Sequence, residues 1–138
     1  MMFSHLRTPD EYRRYRSIYE EAGGHGLVAA NRPVYVGSDD ASAANDVEPA
    51  LRRLWRRFQS EGKIPADRDE SPSLHECAAH PINFLFGGPE SVARQIDELR
   101  EYVDFDVLNL EPRWAGLTVE NVHKSLHRLA AVNEGMRE

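Results

Sequence analysis

Asn83-Phe84-Leu85-Phe86-Gly87-Gly88-Pro89-Glu90-Ser91-Val92-Ala93-Arg94-Gln95-Ile96 is the stretch on which the fold of this chain turns. Phe84, Leu85 and Phe86 form a short apolar run, the pattern of a strand buried on both faces. Gly87 and Gly88 let the backbone turn sharply and leave it bare to a ligand. Pro89 suits a first helical position, where its missing N–H would have had no partner anyway. Val92, Ile96, Leu99 and Val103 then recur at helical spacing and mark one apolar face. Strand, tight turn and helix are the unit of a parallel α/β fold, which places ligands at this end of its strands.

Upstream, Thr8-Pro9-Asp10-Glu11 carries the signature of a helix start: Thr8 as N-cap, Pro9 next, and Glu11 completing a capping box. Tyr12, Tyr15, Tyr19 and Ala22 give that helix an apolar face, and Gly23-Gly24 stops it. A strand is expected over Arg32–Gly37, with Pro33 at its beginning because a mid-sheet proline removes a ladder donor. Ser38, Asp39 and Asp40 offer acceptors for a helix from Ala41 to Gln59. Its apolar stripe is Val47, Ala50, Leu51, Leu54, Trp55 and Phe58, flanked by Arg52-Arg53 and Arg56-Arg57, read as a solvated basic face. From Ser60 to His80 the periodicity disappears, as in a lid or a disordered loop. Downstream, Phe105–Leu110 reads as a last strand interrupted by Asp106 and Asn109, followed by a loop over Glu111–Gly116. Thr118 caps a final helix whose inner face is Val119, Val122, Leu126, Leu129 and Ala130, with Leu117 and Val122 placed as a hydrophobic staple. The order α-β-α-β-α-β-α predicts a mostly parallel sheet with right-handed crossovers.

Bulk properties narrow the function classes. The 138 residues suit one domain able to bury a real core. A net charge of −6 argues against a nucleic-acid partner, which leaves a basic footprint. No apolar run approaches the ~18 residues of a membrane span, and the first residues lack the apolar core of a secretory signal. Cys77, the one cysteine, excludes an internal disulfide framework and fits a reducing, cytoplasmic setting.

Five groups of residues bear on chemistry. His75 and His80 are five apart, about 140° around a helix of 3.6 residues per turn, and Pro81 disfavours helix at His80, so no zinc motif is read there. His123 and His127 have i, i+4 spacing but no third ligand nearby. Cys77 has no partner histidine fixed by sequence and reads as an inert small residue. Gly87-Gly88 at a helix N-terminus is the place where physics suggests anion binding, because backbone N–H groups and the helix dipole point at one spot. A purely structural turn is the other reading. Arg113 and Trp114, in the loop after the last strand, fall on the same end of the sheet; a cation and a flat ring suit a heterocyclic ligand, and Trp114 equally suits a plug at the sheet's end.

Phe84–Val92, Asp106–Leu110 and Ser125–Ala130 resemble the C-terminal end of luciferase-like flavin monooxygenases, and Arg32–Gly37 with its Asp-Asp and helix resembles that family's late strand and helix. The resemblance runs from about Thr8 to Arg137 and implies part of a (β/α) TIM barrel, three to four mostly parallel strands with flanking helices. It also implies reduced FMN reacting with O₂ through a flavin hydroperoxide that the protein shields from water, with a flavin reductase as partner. Gly87, Gly88, Arg113 and Trp114 are its cofactor-binding candidates; no catalytic residue and no metal ligand is carried over. A complete barrel takes about 250 residues, so the resemblance is to the last part alone. Open strand edges must be paired or covered, so self-association as a symmetric dimer is expected. The alternative to a flavin enzyme is a non-catalytic half-barrel module that associates without flavin.

Overall fold

A computed structural model describes residues 2–3, 8–68 and 72–136. The elements are β1 (Met2–Phe3), α1 (Pro9–Glu21), β2 (Ala29–Val36), α2 (Asp40–Ser60), α3 (Leu74–Ala78), β3 (Leu85–Gly87), α4 (Pro89–Tyr102), β4 (Val107–Glu111) and α5 (Val119–Gly135). All strand pairs are parallel, and β2 is the strand that pairs with each of the other three. This is the mixed α/β arrangement expected: parallel strands in one sheet with flanking helices.

The hydrogen bonds of β2 show which neighbour lies on which edge. Gly37 N–H donates to Gly87 C=O at 2.9 Å, and Val28 C=O accepts from Val107 N–H at 3.1 Å. Alternate residues of a strand turn their backbone groups to alternate neighbours, so odd positions of β2 serve β3 and even positions serve β4. The chain therefore steps from β2 to one side, then crosses to the other. Right-handed crossovers in opposite directions put their helices on opposite faces, and the packing agrees. Tyr35 lies against Val47, Leu51, Trp55 and Phe58 of α2, whereas Val34 and Val36 lie against Val92 and Ile96 of α4 and Val132 of α5.

Several boundaries differ from the sequence expectation, each for a local reason. β2 begins at Ala29, so Pro33 stands in mid-strand and not at its start. It is tolerated because β1 pairs at residues 29–30 and β3 at 34–36, and Pro33 falls in the seam between them where no donor is called for. The aperiodic segment contains α3, whose start is a full capping box: Glu76 N–H donates to Ser73 Oγ at 3.2 Å and Ser73 N–H to Glu76 Oε2 at 2.6 Å. On α1 the capping box of Thr8 and Glu11 forms as expected. Of its apolar face only Tyr12 is buried among α1's residues, with its hydroxyl accepting from the buried Arg32 at 2.6 Å, and Tyr15 is 38% exposed.

The largest correction concerns α5. Its buried residues are Ser125 and Val132, while Val119 is 69% exposed and Leu126 42% exposed. The helix is turned because β2 outruns β4: the ladder between them ends at Pro33 and Glu111. Val36, an even position, is left without a strand beside it. Ser125 Oγ accepts from Val36 N–H at 2.8 Å and Arg128 Nη1 donates to Val36 C=O at 3.3 Å, so α5 turns to the sheet the face that carries Ser125 and Arg128 together with Leu129 and Val132.

Ser125→Ala leaves the buried Val36 N–H without an acceptor and is expected to cost about 1–3 kcal/mol of stability. Urea unfolding at neutral pH measures this, with Ser17→Ala on the exposed side of α1 expected to change little.

Candidate functional site

The parallel strands end together at one edge of the sheet, and the turns that follow β2, β3 and β4 carry the residues singled out in the sequence. Gly87 and Gly88 are both buried. Gly87 has φ of +153°, and a Cβ there would come within 2.8 Å of Ser91 Cβ and 2.9 Å of Asp40 Oδ1. A Cβ on Gly88 would sit 3.0 Å from Asp39 Cα. Glycine is required here because the start of α2 passes close against the start of α4.

The anion that the turn invites is supplied by the chain itself. Gly88 N–H donates to Asp40 Oδ1 at 2.7 Å, and Ser91 Oγ donates to Asp40 Oδ2 at 2.8 Å. Asp39, the N-cap of α2, accepts from Ser42 N–H at 2.7 Å and leaves Asp40 free to reach across. The Gly88 N–H, and after it the Ser91 hydroxyl, hold the Asp40 carboxyl below the usual carboxylate range. Sequence reasoning gave Asp40 only to its own helix. The signal for the longer reach was Gly88 itself: an N-cap with no side chain leaves orphan N–H groups that need an acceptor from elsewhere.

Arg113 and Trp114 line a groove whose walls do not include the glycine turn. Trp114 stands edge-on to Phe84 with ring centroids 4.8 Å apart, and its Nε1 donates to Glu111 C=O at 3.2 Å. Phe84 neighbours Phe86 at 6.2 Å, and His75 stacks on Phe86 at 5.3 Å. An aromatic row thus links the two halves of the rim. Arg113, Trp114, Leu117, Val119, Val122 and His123 line a groove of about 630 Å³ at the N-terminal end of α5, within the usual range for small-molecule sites. His123, whose i, i+4 spacing to His127 points to no metal site, is a wall of this groove. No group of three potential metal ligands occurs among the described residues. Cys77 is buried against α2, and burial pushes its thiol pKa up, which makes it a poor nucleophile.

The resemblance implies a flavin, and the two surfaces suit it unequally. The glycine turn does not fit a phosphate, since its N–H is held by Asp40. The groove fits better: it has an exposed cation, an indole and an imidazole on apolar walls.

Comparison with known proteins bears on the fold. No family model matches the chain, and no curated protein matches it. Among solved structures it is similar to the monooxygenase RslO1 from Streptomyces bottropensis, with a TM-score of 0.72 and 16% identity over 99% of this chain and 41% of that one. It is also similar to apo-MsnO8, with a TM-score of 0.66 and 19% identity over 96% of this chain and 44% of that one. A third similarity is to the oxygenating constituent of 3,6-diketocamphane monooxygenase from the CAM plasmid of Pseudomonas putida, a type II Baeyer–Villiger enzyme solved with FMN. There the TM-score is 0.50 and the identity 25%, over 80% of this chain and 34% of that one. The chain spans about two fifths of the first two structures. Its backbone resembles part of the fold of these solved structures.

Because the folded-state pKa of Asp40 is depressed, its contribution to stability is present above the ordinary carboxylate range and is lost as pH falls through the folded value. Asp40→Asn is therefore expected to destabilise the protein at pH 7 and to match wild type progressively below about pH 4. Denaturant unfolding of both proteins across that range tests it.

Proposed function

We propose that this chain is a C-terminal portion of a luciferase-like, FMN-dependent monooxygenase, with Arg113 and Trp114 as its contribution to the flavin site. The observation that carries the reading is the match of nearly the whole chain to a monooxygenase backbone, at a TM-score of 0.72. Placement supports it too: the Arg113–Trp114 groove opens at the C-terminal ends of parallel strands, where α/β folds bind ligands. Reduced flavin, when bound, activates O₂ for transfer of one oxygen atom to an organic substrate.

The chain's own residues have defined parts in this reading. Arg113, exposed at the groove, would hold a flavin phosphate or another ligand anion with a charge-assisted hydrogen bond. Trp114 is held by Phe84 and by its bond to Glu111 C=O, and its indole would give a bound flavin a flat wall that keeps water from the ring. Gly87 and Gly88 act indirectly, letting Asp40 close the rim between α2 and α4. A flavin reductase supplies the reduced cofactor, and the chain works in the cytoplasm as a homodimer. No helix among the described residues is long and apolar enough to cross a membrane.

One observation favours a second reading, a half-barrel module that associates without flavin. The cradle best suited to a phosphate is filled by Asp40. Calorimetric titration with FMN separates the two. Binding at micromolar flavin, weakened about tenfold by Arg113→Ala through loss of one charge-assisted contact, supports the flavin reading. No heat of binding to the folded protein selects the module.

A further inference from the structure

Among the described residues β4 pairs with β2 alone, which leaves its outer edge without a strand. In the ladder with β2, Val107, Asn109 and Glu111 stand opposite Ala29, Asn31 and Pro33, and Val107 N–H donates to Val28 C=O. By the alternation of a strand, Val107, Asn109 and Glu111 turn their backbone groups to β2. The N–H and C=O groups of Leu108 and Leu110 therefore point outward, and no strand among the described residues takes them. Soluble proteins usually guard such an edge with lysine, proline or a bulge. Val-Leu-Asn-Leu-Glu has none of these.

A groove of about 680 Å³ runs beside this edge. Leu108 and Leu110 of β4 form its floor, and Ile96 of α4 with Leu126, Leu129 and Met136 of α5 form its walls. The wall residue Leu126 is 42% exposed.

We propose that two copies pair antiparallel through β4 about a two-fold axis at Asn109, which rests on the self-association stated above and gives it a place and a register. The alternation makes the edge complementary to itself. Leu108 faces the partner's Leu110 and exchanges both hydrogen bonds with it, and Leu110 does the same with the partner's Leu108. The axis thus generates four backbone bonds from the four outward groups on each copy. The leucine pairs lie side by side on the groove face and carry the apolar floor across the seam. On the opposite face Asn109 meets the partner's Asn109, amide against amide. Glu111 falls opposite the partner's Val107, so the two glutamates stand at opposite ends of the seam and like charges do not meet. A shift of register by one residue would put leucines opposite outward polar side chains and lose this match.

The register makes a sharp test. Asn109 and its mate form a non-hydrogen-bonded antiparallel pair, whose Cα atoms lie about 4.5 Å apart, within disulfide range. Asn109→Cys, with buried Cys77 left in place, is expected to convert most of the protein to a covalent dimer under glutathione oxidation. Wild type and Glu98→Cys on the exposed side of α4 are expected not to cross-link. Light scattering on the wild-type chain is read alongside. A dimer mass without the Asn109→Cys cross-link overturns the β4 seam and leaves self-association standing through another face. A single-chain mass at every concentration, with no cross-link, overturns both. Hydrogen exchange adds a readout without mutation: the Leu108 and Leu110 amides are expected to be protected at dimer concentrations and to exchange rapidly on dilution.

Discussion

A parallel strand at the centre of a small sheet must have its backbone groups paired on both edges, and β2 meets that demand with four different partners. β1 and β3 share one edge, β4 takes the lower part of the other, and a helix completes it. The last pairing is the least conventional and the most consequential. An unpaired N–H in this fully buried place costs as much as a lost hydrogen bond, so Ser125 and Arg128 of α5 must face the strand. Once they do, the orientation of α5 about its own axis is settled. Val132 goes inward, Leu126 goes to the groove beside β4, and Val119 goes to the groove beside Trp114.

Much of the element order was legible in the sequence because the signals were local. The capping box at Thr8 and Glu11, the Pro89 helix start and the Thr118 cap each satisfy groups within one turn, and each stands in the structure. The same logic applied to Ser73 and Glu76, yet the short α3 was obscured by the surrounding prolines and acids. What hydrophobic periodicity misjudged was α5. Its apolar stripe assumed that burial follows the greasiest face, whereas a backbone group of a strand about ninety residues earlier claimed the serine face. Pro33 was misplaced for a related reason: the rule against mid-strand proline holds only where a neighbour needs the donor, and the neighbours of β2 change at that residue.

The candidate site was legible as residue types and only partly as an arrangement. Arg113 and Trp114 do share a groove, as their adjacency suggested. Gly87 and Gly88 do sit at a helix N-terminus and do attract an anion, but the anion is Asp40. That contact joins residues 48 apart, which no spacing rule sees. His123 became part of a groove wall only once the loop before α5 was folded beside it.

Asp40 belongs to a helix on one face of the sheet and bonds the first turn of a helix on the other. It is a strap over the end of the strands, tying the two outer layers at their tops. Neither helix can lift from the sheet without breaking the tie to the other, so the two belong to one cooperative unfolding unit. The tie also sets a threshold for small anions. A tethered carboxylate acts at an effective concentration on the order of millimolar or above, and any phosphate arriving at Gly88 must outcompete a rival that never diffuses away.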